Sequence, residues 1–178
     1  ADLGFVLPST QGAPAVRAAG VNAGEVGFST FQGLMDCVTT TATLLDDPKA
    51  EARARDYVAA LKAELAKPSA TSGGHAPRVL HIQSLSPLKI DGDGTIIDEW
   101  IHAAGGTTAA QGLHGNMQSV TVEQVAAWNP DVIIVGARSG DLAVLKDDPL
   151  WQQVAAVKSG RVYRNPEGVF AWDRYGPE

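Results

Sequence analysis

The spacing of apolar residues changes from block to block along the chain, and each spacing predicts an element. Leu3 to Leu7 is a short apolar run closed by Pro8-Ser9-Thr10, which predicts a buried strand. Ala13 to Gly20 reads as a short helix stopped by Gly20, and Glu25 to Phe28 as a further short strand. Phe31, Leu34, Met35, Val38, Ala42 and Leu45 recur at helical spacing, so a helix is predicted from Phe31 to Leu45. The β-branched run Thr39-Thr40-Thr41 works against it.

The clearest helix comes next. Asp47 suits the N-cap and Pro48 the first helical position. Ala54, Tyr57, Val58, Leu61 and Leu65 form one apolar stripe, with Glu51 and Arg55 at i,i+4 spacing on the polar side. Lys67-Pro68 ends it. A helix of about twenty residues is a rod of about 30 Å. The polar, Gly-containing stretch Ser69 to Pro77 reads as a linker.

Beyond the linker the period alternates. Arg78 to Ser84 predicts a strand, Thr95 to Ala104 a helix stopped by Gly105-Gly106, and Thr121 to Trp128 a helix whose Thr121 and Gln124 fit a capping box. Asp131 to Val135 is a strongly apolar strand, Asp148-Pro149 opens another short helix, and Arg161 to Tyr163 is a short strand. Strands separated by helices of about ten residues predict βαβ units on a parallel sheet.

Composition narrows the function. The 178 residues carry 14 Lys and Arg against 20 Asp and Glu, a net charge of −6 with no basic run, which argues against a nucleic-acid partner. Cys37 is the single cysteine, so neither an intramolecular disulfide nor a Cys-rich zinc site is available. We read it as a small buried residue. No apolar run approaches the roughly 20 residues of a membrane span.

Candidate chemistry is sparse. Asp91-Gly-Asp-Gly-Thr-Ile96 resembles the middle of a calcium loop, but its first ligand position falls on Lys89 and its last on Trp100, so a turn with a helix cap is expected instead. Gly92 and Gly94 lack the third glycine of a dinucleotide fingerprint. His75, His81, His102 and His114 match no zinc spacing. His114 stands out because it lies in a loop between two structured segments, where sites in α/β proteins occur. Arg138 follows the apolar strand, placing a guanidinium able to fork onto an anion past a strand's carboxyl end. Phe170 to Tyr175 packs aromatic and charged residues together, as contact surfaces do. No nucleophile elbow or phosphate loop is present, so an enzyme reading, such as a nucleotide-binding α/β domain, has no local support.

Three stretches taken in order carry a resemblance: Ser119 to Val135, with Glu123-Gln124 and Asn129-Pro130-Asp131; Asp148 to Tyr163, with Asp148-Pro149-Leu150-Trp151 and Gly160-Arg161-Val162-Tyr163; and Asn165 to Tyr175. Together they resemble the periplasmic substrate-binding proteins of ABC importers, in the helical-backbone class serving iron–siderophore, haem and cobalamin uptake. The resemblance implies an α/β fold in which a βα-alternating lobe with a parallel sheet is joined by a long bridging helix to the remnant of a second α/β lobe. Residues 1–46 would be the C-terminal part of the N-terminal lobe, 47–68 the bridging helix, and 69–178 the C-terminal lobe without its last helices. The chain is therefore expected to be incomplete.

The implied function is capture of an iron chelate or related metal-containing ligand between two lobes and delivery to a membrane permease, with no enzymatic step and no resident cofactor. Haem, cobalamin, a nickel complex or molybdate are alternative solutes. The implied protein is a periplasmic or lipid-anchored monomer that binds no nucleic acid. Ligand contacts are expected from Ser9, Ser84, His114, Arg138, Trp172, Arg174 and Tyr175. Arg138 and Arg174 would meet an anion, Trp172 and Tyr175 would stack, and Tyr175 or His114 would touch a metal. The family docks on its permease through an acidic side chain on each lobe; here that position falls near Gly94, leaving Asp93 and Glu99, with Asp91, as substitutes.

Overall fold

A computed structural model describes residues 4–6, 13–21, 23–67 and 74–166. The chain divides into two compact units, Ala1–Glu64 and Leu65–Glu178. In the first, β1 (Gly4–Val6) pairs in parallel with β2 (Ala23–Glu25), and α1 (Ala13–Ala18) connects them. The second strand sits earlier than the expected 25–28. The register Gly4↔Ala23 to Val6↔Glu25 sets its limits, so pairing with a three-residue partner overrides the apolar pattern.

Helix α2 spans Phe31–Leu45, as predicted, and buries Leu34, Met35 and Ala42. Thr30 caps it by accepting a hydrogen bond from the Gly33 N–H at 2.9 Å. The threonines are tolerated because the hydroxyls of Thr39 and Thr43 donate back to the carbonyls of Met35 and Thr39, at 2.8 and 3.1 Å. Cys37 on this helix is half-buried rather than buried.

Helix α3 spans Pro48–Leu65. Asp47 accepts from the Lys49 N–H at 2.9 Å, which satisfies one of the donors a helix start leaves open. Ala54 is buried, and Tyr57, Val58, Leu61 and Leu65 are half-buried, so the predicted stripe is the covered side. Glu51 and Arg55 approach to 3.8 Å on the exposed side, a pair that contributes little.

The second unit is built on a mixed six-stranded sheet. Strand β3 (Arg78–Leu85) is central; β7 (Val132–Val135) pairs with it in parallel, and β8 (Val162–Arg164) pairs in parallel with β7. The short β5 (Thr107–Thr108) also runs parallel to the start of β3. Of these, β3, β7 and β8 are the parallel strands expected from the alternation. The apolar pattern did not reveal β5, nor the two antiparallel strands that complete the sheet: β4 (Leu88–Asp91), antiparallel to β3 across a Ser86-Pro87 turn, and β6 (Gln118–Ser119), antiparallel to β4.

Helix α4 (Ile96–Ala103) lies between β4 and β5 in sequence, and α5 (Val122–Trp128) between β6 and β7. The calcium-like stretch is the expected turn and cap: Thr95 accepts from the Asp98 N–H at 3.1 Å and donates to the Gly92 carbonyl at 3.0 Å. The Thr121–Gln124 capping box is present. The segment after Asp148-Pro149 is a 3-10 turn, Trp151–Gln153, followed by α7 (Ala155–Lys158), and α6 (Val144–Asp147) precedes it. Asp148 accepts from Leu150 N at 2.8 Å, a local turn that competes with continuous helix.

Alternation along β3 and β7 divides the sheet's faces. Leu80, Ile82, Ile133 and Val135 face the main core, which Val125, Trp151 and Val154 complete. The Asn129-Pro130-Asp131 corner fastens it. Asn129, at φ 46°, accepts from Ala155 N at 2.8 Å; Pro130 accepts from Ala156 N at 3.0 Å; Asp131 accepts from Arg78 N at 2.8 Å. On the opposite face Val79, His81 and Ile134 meet Ile97, Trp100 and Ile101 around an apolar groove of about 300 Å³.

Candidate functional site

In open α/β sheets, ligands bind beyond the carboxyl ends of the parallel strands. In the second unit those ends are Leu85, Val135 and Arg164, and the chain after β7 turns through Gly136 to Gly140. The turn is held from several sides. Gly136 N–H donates to Ile82 O at 2.8 Å, and Leu85 N–H donates to Ser139 O at 2.7 Å. The Ser139 hydroxyl, 4% exposed, donates inward to Gly136 O at 2.7 Å. Arg164 donates from one guanidinium nitrogen to Ala137 O at 2.9 Å and from the other to Gly140 O. Gly140 adopts φ 114°, a conformation costly for side-chain-bearing residues.

This turn displays Arg138, which is exposed. Ser84 precedes Leu85, whose amide binds Ser139, so the structure brings the expected residues Ser84 and Arg138 to one end of the sheet. It does not bring His114 there. His114 is exposed and forms an isolated bridge with Asp93, beyond the end of β4. Register places Asp91 opposite His81, four residues before Leu85, a separation of about 13 Å along the strand. Ser9, Trp172, Arg174 and Tyr175 lie outside the described residues.

The loop carrying His114 is fastened to residues 91–93. Gly92 N–H donates to Gly115 O at 3.0 Å, Asp93 N–H to Leu113 O at 2.7 Å, and Gly115 N–H to Asp93 O at 3.0 Å. The approach is so close that a Cβ on Gly92 would lie 2.0 Å from the Leu113 carbonyl oxygen. Asp93 accepts from the Gly112 N–H at 3.2 Å and is half-buried, as is Glu99. Asp91 is no docking group. It is 3% exposed, because it accepts from His81 Nδ1 at 2.8 Å, Gln83 Nε2 at 2.8 Å and Met117 N–H at 3.1 Å. Met117 itself sits at φ 58° and is 48% exposed.

Sequence reasoning missed two of these groups. The Asp91 cluster depends on the β3–β4 hairpin, for which Ser86-Pro87 between two apolar runs was the available signal. Arg164 had none, since an arginine on a short strand is ordinary. Among the described residues, no three His, Cys, Asp or Glu side chains are grouped to hold a metal ion, and no helix is long and apolar enough to cross a membrane.

The chain belongs to the periplasmic binding protein family, whose sequence profile matches residues 9–168. It is 28% identical over 141 residues to the Fe(3+)-citrate-binding protein YfmC of Bacillus subtilis, covering 76% of this chain and 43% of that protein. Over 78 residues it is 36% identical to the molybdate-binding protein MolA of Haemophilus influenzae, covering 43% of this chain and 22% of MolA. Among solved structures, the periplasmic heme-binding protein BhuT in complex with two hemes superposes with a TM-score of 0.73 at 27% identity, over 92% of this chain and 65% of BhuT. The chain spans less than half the length of these curated relatives. Family membership places the protein outside the cytoplasm.

Proposed function

We propose that this chain is part of an extracytoplasmic solute-binding protein that captures an iron chelate or a related metal-containing solute and hands it to an ABC permease. The reading rests chiefly on one observation. In a chain of this family, an exposed arginine stands on a tightly fastened turn at the carboxyl ends of the parallel strands. A guanidinium there suits the carboxylates of a citrate complex, the propionates of haem or an oxyanion such as molybdate. The relatives' named solutes span all three chemistries.

In this reading α3 bridges two lobes, residues 1–46 belong to one and residues 69–178 to the other. Arg138 and Ser84 contact the solute from the second lobe. Ser9, Trp172, Arg174 and Tyr175 join them, and His114 serves only a solute large enough to reach it. Asp93 and Glu99 are the docking carboxylates. The protein acts as a monomer and performs no chemistry.

The test is titration with ferric citrate, haemin, cyanocobalamin, a nickel chelate and molybdate, followed by intrinsic Trp fluorescence. Saturable binding of one of these, weakened at least tenfold by Arg138→Ala, supports the reading. Affinity for nucleotides with none for these solutes overturns it.

A further inference from the structure

We infer that Arg164 is a positioning residue that sets the direction in which Arg138 is offered to an anionic group of the solute; this rests on the solute reading above. Arg164 closes β8 opposite Val135, the last residue of β7, so its side chain starts level with the point where the Gly136–Gly140 turn leaves the sheet. One guanidinium nitrogen donates to Ala137 O at 2.9 Å and the other to Gly140 O. These carbonyls flank Arg138 and Ser139. Ser139 is turned inward, with its hydroxyl on Gly136 O at 2.7 Å, while Arg138 is exposed. The fork therefore ties both sides of the short segment that displays Arg138.

The chemistry requires an arginine. A planar guanidinium presents two N–H groups at fixed separation and spans two acceptors at once; a lysine ammonium reaches them as a single mobile point. With the turn held, ordering it is not charged against binding, which is the usual gain from preorganisation. The second anchor, Leu85 N–H on Ser139 O at 2.7 Å, ties the same segment to β3.

A double-mutant cycle on the full chain tests this, using whichever of ferric citrate, haemin or molybdate the parent binds. Arg164→Met is expected to weaken binding about tenfold, and Arg164→Lys by less. In an Arg138→Ala background, Arg164→Met is expected to have under about a twofold further effect, because its influence passes through Arg138. Additive losses overturn the proposal. Hydrogen exchange supplies an arm independent of solute. In Arg164→Met the amides of Ser139 and Leu85 should exchange at least about tenfold faster, with the Leu80 amide unchanged. Unchanged exchange at Ser139 and Leu85 overturns the brace even where binding falls. If the parent binds none of the probes, the solute reading fails, and a slow Ser139 amide in the parent that becomes fast in Arg164→Met still supports the brace.

Discussion

His81 and Asp91 face each other across the β3–β4 hairpin, with Nδ1 and Oδ2 2.8 Å apart and side chains 3% and 0% exposed. The carboxylate is a junction, because the same residue also holds Gln83 and the Met117 amide. Removing it leaves the buried His81 and the half-covered Gln83 amide and Met117 N–H without their acceptor. Asp91→Ala should destabilise the chain by about 3 kcal/mol in urea unfolding. Asp91→Asn should cost less, since the amide still offers one oxygen. Equal stability of Asp91→Ala and the parent would show that the junction contributes nothing.

Two neighbouring glycines should respond differently to alanine. At Gly92 the new Cβ meets the Leu113 backbone oxygen at 2.0 Å, and backbone cannot swing aside as a flexible side chain would. Gly92→Ala should therefore cost about 3 kcal/mol and loosen the 112–117 loop. At Gly94, with φ 71° and open space around it, alanine meets only the backbone penalty of about 1 kcal/mol. Thermal melts of the two variants would check the order, and a reversed order would refute the close packing at Gly92.

Among the described residues Trp151 is the largest fully buried side chain, and it sits in the core against the sheet. Trp151→Ala should cost about 4 kcal/mol, combining lost transfer energy with a cavity. Trp151→Phe should retain more than half of that. Chemical denaturation would measure both.

At the start of α5, Thr121→Ala removes the acceptor for Gln124 N–H and should cost about 1 kcal/mol. Beside it, hydrogen bonds from the Thr121 side chain and then from its own backbone hold the exposed Glu123 carboxyl below its ordinary 4.5. A lowered carboxyl value stabilises the fold above the unfolded value, and that support disappears as pH falls through the lowered one. Glu123→Gln should therefore be less stable than the parent above about pH 4.5 and converge with it at the acid end, where the parent's carboxyl is protonated as well. Urea midpoints across the acid range would show it; parallel profiles for parent and variant would contradict it.

Much of the fold was readable where one local signal decided the outcome. Helix α2 begins at Phe31 and ends at Leu45 as its period predicts, and Asp47, Thr95 and Thr121 cap their helices by position alone. The parallel strand β7 was visible because it is a continuous apolar run, and β3 because Val79, Leu80 and Ile82 concentrate in a short segment after the linker. Strands β5 and β6 are two residues each and carry no period to read. Strand β4 was hidden because its Lys89 and Asp91 look polar, although Asp91 is buried and held by partners from two segments of the chain, β3 and the 112–117 loop. The site followed the same division. Arg138 was found because it follows a strand, whereas the residues that hold its turn, Ser139 and Arg164, act through backbone carbonyls that sequence does not display.

The brevity of the outermost strands has a further effect. Among the described residues the outermost strands of the sheet are β6 and, beside the start of β3, β5, with two residues each, and β8 on the other side with three. A neighbouring polypeptide would find only a few open backbone donors and acceptors along either margin. Such margins are poor templates for strand addition, so the second unit resists edge-to-edge stacking into fibrils even when the protein is crowded.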